Sequence, residues 1–326
     1  MGGCLSSCPD DDRSMHSSNH PRSMLTRHHH HHTHNDDKEA HIRTVEGRLY
    51  HDENDSRYML PRDEQESDRL HEQHFVTKEV LGCNILPETF QHLNFQRGGL
   101  TILDVCCGPA TWLCETSLEY NNSQFTGVDM SDVWPKDIRP VNLQFRRANV
   151  LNGIPFPDQH FDFIQMRYVV LAFTLDEWKK VFNELRRVLK PGGCLQCIDL
   201  DMRITLQDDK ASISKQHIET LEQFYSIQGL DISVGAKLDM RLTDLGLRIV
   251  QSEYREIPLG WGGPIGTASL NLFMGKLNGL SPWLKRTMEI SDDSFQQLKE
   301  EIHQDLIHSR AYMGLHAFLA IKEPLE

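Results

Sequence analysis

The stretch Ile102-Leu103-Asp104-Val105-Cys106-Cys107-Gly108-Pro109-Ala110-Thr111-Trp112 decides the fold. Residues 102–105 read as a short apolar strand entered from Gly98-Gly99, and residues 110–120 read as a helix. Between them lies a compact turn of small residues. Such a turn lets backbone approach a ligand closely, at the carboxyl end of the strands. A second strand over 124–128 ends in Gly127-Val128-Asp129-Met130. Asp129 follows Asp104 by 25 positions, the spacing of an acid that accepts hydrogen bonds from ribose hydroxyls.

The pattern continues outward. Residues 143–146 and 161–166 read as strands three and four. Trp178, Val181, Phe182, Leu185, Val188 and Leu189 form one apolar helical stripe, with Thr174 and Glu177 as a capping box at its start. Pro191-Gly192-Gly193 stops that helix, and residues 194–200 form a fifth strand. Upstream, Leu70, His74, Thr77 and Leu81 share one face of a helix over 63–81. Past residue 205 the rhythm changes: helices are expected near 211–229, 235–245, 268–286 and 292–308, with strands near 248–257 and 312–321. Alternating strands and helices predict a mostly parallel sheet covered on both faces. The expected division is a tail over 1–60 and one domain over 61–326, with its core at 98–205 and a helical insert covering the substrate at about 206–310.

Composition sets the tail apart. It holds 10 of the 18 histidines, few apolar residues and the acidic run Asp10-Asp11-Asp12, so it buries too little to offset ordering entropy and reads as disordered. The tract from His28 to His32 reads as low complexity or as a loose metal binder. The start, Met1-Gly2-Gly3-Cys4-Leu5-Ser6-Ser7-Cys8, fits an N-myristoylation pattern at Gly2, with palmitate on Cys4 or Cys8. A single acyl chain holds a membrane only marginally and no polybasic patch is present, so a second chain is needed for an anchor. Net charge is −13, which argues against a nucleic-acid partner. No run of about 20 apolar residues is present, and no secretory signal precedes the eight cysteines, so a cytoplasmic, membrane-associated protein with reduced thiols is expected.

These motifs resemble the class I S-adenosylmethionine-dependent methyltransferases, most closely over residues 60–200. The family's D-x-G-x-G-x-G loop is matched by Asp104-Val105-Cys106-Cys107-Gly108-Pro109-Ala110, its ribose acid by Asp129, and its later turns by Ala148–Phe163 and Leu189-Lys190-Pro191-Gly192-Gly193. Tyr58-Met59-Leu60-Pro61, Asp68-Arg69-Leu70 and Gln73-His74 are similar to the N-terminal region of fungal LaeA/UMTA-type members, which implies a fungal origin. The resemblance implies an α/β Rossmann-like, doubly wound seven-stranded sheet with one antiparallel strand. It implies S-adenosyl-L-methionine as cofactor and a small-molecule or protein methyl acceptor. Asp104 would hold the methionine ammonium; Cys106, Gly108 and Ala110 would shape the loop beneath the cofactor. Asp129 would bind the ribose and Met130 would flank the adenine. Asn149 would accept from the adenine amino group while Val150 packs on the ring. Gln165, Met166 and Arg167 would face the methyl-donor end.

Two positions depart from the pattern, since Cys106 and Ala110 replace the usual first and third glycines, and a side chain costs free energy where φ is positive. Several residues carry two readings. Arg167 is a site residue or an ion-pair partner; Trp261 lines a pocket or anchors a loop. Cys194-x-x-Cys197 lacks a second pair and sits on a strand, so no metal is assigned to it. His160, His217, Tyr254 and His316 qualify as a general base by residue type alone. Three functional classes follow: an active methyltransferase, a non-catalytic interaction protein keeping its fold at a membrane, and a nucleotide-dependent oxidoreductase. The last is disfavoured because the loop lacks the G-x-G-x-x-G spacing.

Overall fold

The structure is a computed structural model that describes residues 42–52, 58–207 and 212–324. A hairpin of β1 (Ile42–Val45) and β2 (Arg48–His51) precedes α1 (Glu64–Leu81) and the short α2 (Thr89–His92). The alternating core follows as β3 (Thr101–Val105), α3 (Thr111–Glu119), β4 (Gln124–Asp129), β5 (Leu143–Arg147), β6 (Phe161–Arg167), α4 (Leu175–Val188) and β7 (Leu189–Thr205). The chain ends with α5 (Ser212–Ile227), α6 (Leu238–Asp244), β8 (Arg248–Pro258), α7 (Pro264–Met288), α8 (Asp292–His308) and β9 (Tyr312–Ile321).

Seven strands form one sheet in the order β5-β4-β3-β6-β7-β9-β8. The five strands of the core pair in parallel, and β9 runs antiparallel to both its neighbours. The sheet therefore has the expected seven strands with one antiparallel member. Ile102, Leu103 and Val105 are fully buried because a parallel sheet is covered on both faces. One face of α4 supplies Trp178, Val181, Leu185 and Val188, all inaccessible to solvent, and the Thr174–Glu177 capping box is formed. The strand order turns back between β3 and β6, and cofactors bind beside that reversal at the carboxyl ends of the strands.

Three expectations are corrected. The tail does not extend to residue 60: residues 42–51 form the hairpin, and Tyr50 is buried. Its turn, Glu46 (φ 51°) and Gly47 (φ 78°), has both residues left-handed, the geometry that matches strand twist. Second, β7 does not begin at Cys194. Gly192 N–H donates to Lys322 O (2.6 Å) and Lys322 N–H to Gly193 O (3.0 Å), so the Pro-Gly-Gly turn is drawn into strand pairing. Third, no described residue of the 206–310 insert lines the cleft at the carboxyl ends of the core strands, which is covered instead by His51 and residues 58–74. The insert lies behind that cover. On α7, an added Cβ at Gly275 would sit 3.0 Å from Arg69 Cδ, and one at Gly279 would sit 2.9 Å from Pro61 Cδ. These two glycines, one helical turn apart, let α1 and its approach lie directly on α7.

Gly2, Cys4, Cys8 and the histidine tract lie outside the described residues. Among the described residues, no helix is long and apolar enough to cross a membrane. Six described cysteines are free thiols.

Candidate active site

A cleft, partly open to solvent, lies across the carboxyl ends of β3, β4, β5 and β6. Its floor consists of the turns leaving those strands: Asp104, Cys106, Cys107, Gly108 and Pro109; Asp129, Met130 and Ser131; Asn149, Val150 and Leu151; Arg167, Tyr168 and Val169. Its roof is α1 and the segment before it, with His51, Tyr58, Arg62, Glu66, Leu70, Gln73 and His74.

The floor is a backbone construction. Cys106 (φ 57°), Gly108 (φ 52°) and Ala110 (φ 63°) are all left-handed. Two of these three residues carry a Cβ, and the conformation costs of order 1 kcal/mol at each. At Gly108 an added Cβ would meet only Leu70 Cδ1, at 3.6 Å, so the glycine leaves the cleft side of the loop open. Asp129 ties the floor together: Oδ2 accepts from Gly108 N–H and Oδ1 from Ser131 N–H, both at 2.8 Å. Burial raises its pKa, while those amides and that of Met130 hold it down. Each carboxylate oxygen has a lone pair left for a ligand hydroxyl. Asn149 Oδ1 accepts from Leu151 N–H (3.0 Å) and likewise retains acceptor capacity. Asp104 is buried, and its pKa is pushed up to about 7 by that burial, with the Arg167 guanidinium opposing.

Side chains build the roof. Arg69 makes a bidentate pair with Glu66 (Nε–Oε2 2.9 Å, Nη2–Oε1 2.6 Å) and donates to Gln73 Oε1 (2.7 Å). All three are buried. Asp63 caps α1 through Glu66 N–H (3.0 Å) and receives Arg48 Nη2 from the hairpin (2.7 Å). Arg62 Nη2 reaches Asp132 (2.6 Å) in the turn after β4. At the other end, His74 Nε2 lies 2.8 Å from Glu115 Oε2 on α3, and His71 Nδ1 lies 2.6 Å from Thr111 Oγ1. Burial and the nearby Arg167 charge lower the His74 pKa to about 4, so the imidazole is neutral and donates Nε2–H to the carboxylate. Against the pull of burial, Lys78, Asn84 and His74 hold Glu115 down at about 2. Thr77 bonds the Tyr168 hydroxyl, fastening the roof to the turn after β6. Asp199 supports that turn from below by accepting Val169 N–H (2.9 Å).

Of the residues expected at the site, Asp104, Cys106, Gly108, Asp129, Met130, Asn149 and Val150 all line this cleft, as does Arg167. Ala110 and Gln165 do not. Ala110 is fully buried as the N-cap residue of α3. Gln165 lies two residues short of the end of β6, where its Oε1 accepts from Gln196 Nε2 (2.8 Å) inside the sheet. None of His160, His217, Tyr254 or His316 lines the cleft. His217 lies against Asp305 (3.3 Å) on α8, and the Tyr254 and His316 rings lie tilted against each other, 5.0 Å apart, on β8 and β9. Trp261 is a loop anchor: its Nε1 donates to Ala311 O (2.6 Å), and the Arg310 guanidinium lies 4.7 Å from the ring centre. Among the described residues, no cluster of three or more His, Cys, Asp or Glu is arranged to hold a metal ion.

Sequence reasoning missed His51, Arg62, Glu66 and Tyr168 as cleft residues. The signal for His51 was the Glu46-Gly47 pair between two short β-prone runs. The others carry no spacing signature of their own.

Residues 102–193 match the family model described as "Methyltransferase domain". Over those residues the chain is similar to S-adenosylmethionine-dependent methyltransferases. The cleft's donor set suits S-adenosylmethionine: the half-buried carboxylate of Asp129, a glycine-opened loop and acceptors at the turn after β5. Three relatives place the likeness. A demethylmenaquinone methyltransferase of Listeria welshimeri is 35% identical over 34% of this chain and 49% of its own length. The N-methyltransferase sirN of Leptosphaeria maculans is 25% identical over 74% of this chain and 84% of its own. The secondary metabolism regulator LAE1 of Cochliobolus heterostrophus is 29% identical over 50% and 52%. The chain spans about half the length of the demethylmenaquinone methyltransferases it matches.

Proposed function

We propose that this chain transfers the methyl group of S-adenosylmethionine to a small-molecule acceptor bound between the floor and α1. The observation that carries the reading is the convergence of the Asp104–Ala110 turn, Asp129, Asn149 and Arg167 on one cleft, from four adjacent strand ends. Bound there, the cofactor supplies an electrophilic methyl group on a sulfonium, so the reaction needs alignment and exclusion of water more than a strong base. Asp129 would accept from the ribose hydroxyls with the lone pairs its two backbone bonds leave free. Met130 and Val150 would flank the adenine, and Asn149 would accept from its amino group. Cys106 and Gly108 shape the floor under the methionine end, with Ala110 behind them starting α3. The roof favours a small acceptor over a folded protein: α1 lies across the cleft and is tied to α3 and to the turn after β6.

Incubated with methyl-labelled S-adenosylmethionine and a small-molecule extract, the full chain should place label in a low-mass product, and Asp129→Ala should lose that transfer. Label found only on protein would move the acceptor class. Cofactor binding without turnover on any fraction would favour the non-catalytic reading. The Met1-Gly2-Gly3-Cys4 start supports a second proposal, acylation at Gly2 and Cys4 that holds the domain at a membrane surface. Gly2→Ala should then shift the protein from the membrane fraction to the supernatant; a wild-type protein found wholly in the supernatant would refute it.

A further inference from the structure

Two described histidines line the cleft, His51 and His74. His51 lies under the charges of Arg62 and of Arg147, at the end of β5. His74 feels the Arg167 charge at the end of β6, the side where the resemblance puts the methyl donor. The His74 ring is oriented from one side. Its Nε2 lies 2.8 Å from Glu115 Oε2 on α3, and Glu115 is held ionised, against burial, by Lys78, Asn84 and His74 itself. A carboxylate only accepts, so Nε2 carries the proton and Nδ1 keeps a bare lone pair. Nδ1 is buried and has no hydrogen-bond partner among the described residues. The ring stays neutral: burial lowers its pKa to about 4, Arg167 and Lys78 add to that, and Glu115 opposes. An imidazole with one free lone pair, fixed at its other nitrogen by a carboxylate, is the arrangement of a base oriented by a third group.

We propose that His74 is a catalytic residue that takes the acceptor's proton at Nδ1, with Glu115 as its positioning residue, and that the acceptor is a small molecule presenting a hydroxyl group. This rests on the methyl-transfer reading above and adds to it the acceptor class. An amine attacks with a lone pair it already has and can shed its proton to water afterwards. A hydroxyl oxygen becomes strongly acidic as it takes on a methyl group, so a weak base that is always unprotonated is enough. In the step, an oxygen lone pair forms the O–C bond while the C–S bond breaks, its electrons staying on sulfur to leave S-adenosylhomocysteine. The O–H electron pair returns to oxygen and the proton goes to Nδ1. Nε2–H stays on Glu115, which steadies the imidazolium until solvent takes the proton.

The first readout needs no turnover. Nitrogen NMR of the full chain with isotope-labelled histidine, the His74 signals assigned through His74→Gln, should show the Nε2–H tautomer with Nδ1 unprotonated at neutral pH. Glu115→Gln should let the Nδ1–H tautomer appear and should lose part of the rate. The second readout follows turnover. With carbon-labelled methyl on S-adenosylmethionine and the small-molecule extract, the product's new methyl should carry the carbon shift of a methyl ether. His74→Gln, whose amide can still donate to Glu115, should lower the initial rate of label transfer at saturating cofactor at least about 100-fold, with S-adenosylhomocysteine affinity held within about twofold. A wild-type His74 protonated on Nδ1 overturns the proposal. So does a His74→Gln variant that keeps its rate, or a methyl found on nitrogen, sulfur or carbon. A His74→Gln variant that loses rate and about tenfold in S-adenosylhomocysteine affinity together would place His74 against the cofactor and overturn it as well. If wild type binds S-adenosylhomocysteine but labels nothing in the extract, the non-catalytic reading stands and the proposal falls. If it binds neither S-adenosylmethionine nor S-adenosylhomocysteine, the cofactor reading itself fails first.

Discussion

The floor and the roof of the cleft are built on opposite plans. The floor is short turns at the ends of parallel strands, held by backbone amides on Asp129 and by left-handed residues at 106, 108 and 110. The roof is a helix whose buried side is polar: Glu66, Arg69, Gln73, His74 and Thr77. A floor made of backbone tolerates Cys106 or Ala110 in place of glycine, because what it offers a ligand is amides and open space. A roof made of side chains stands or falls with each partner.

The largest effect should therefore come from the roof. Arg69→Met leaves Glu66 buried without its partner and should destabilise the domain by about 3–5 kcal/mol. Denaturant titration measures it, and the Arg69→Met/Glu66→Leu pair should recover much of the loss. Equal losses in single and double variants would mean that the pair carries no coupling and that the two plans do not differ as described. On the floor, Asp129→Ala should weaken cofactor binding at least tenfold, about 1.5–3 kcal/mol, with a smaller effect on stability. A variant that unfolds instead would make Asp129 a structural tie above all.

The smallest effect separates the two surfaces by sign. Asp104 on the floor titrates at about 7 in the folded state, against an ordinary 3.8. The native state keeps a proton that the unfolded chain has lost, so this group's contribution falls as pH rises from about 4 to about 7. His51 and His74 on the roof are lowered to about 4 from 6.5. The unfolded chain holds protons there that the native state lacks, so their contribution grows as pH rises from about 4 to about 6.5. Urea midpoints at three pH values should climb more steeply in Asp104→Asn than in wild type and less steeply in His74→Gln. Parallel profiles in all three proteins would contradict both assignments.

The same contrast explains what could be read in the sequence. The floor was legible because it is local: strand, turn and helix succeed one another within Ile102–Trp112, and Asp129 follows at a fixed interval. Helix α1 was found by its span, but its role was not, because periodicity counts apolar residues and its buried face is the Glu66–Arg69 ion pair with Gln73, His74 and Thr77. The hairpin was hidden by the composition of its surroundings, although Glu46-Gly47 signals a two-residue turn. Gln165 was misplaced for a geometric reason: residues 165 and 167 share a face of β6, but only the latter reaches the strand's end. The insert's place behind α1 follows from contacts at Gly275 and Gly279 that join segments about 200 residues apart, which no local pattern carries.

The central claim, that this cleft is a cofactor site despite Cys106 and Ala110, is tested most directly by calorimetric titration of the full chain. The full chain matters because a cut at residue 60 would remove the hairpin and His51. The account predicts saturable one-site binding of both S-adenosylmethionine and S-adenosylhomocysteine, weakened at least tenfold by Asp129→Ala. A folded wild-type protein that binds neither would contradict it.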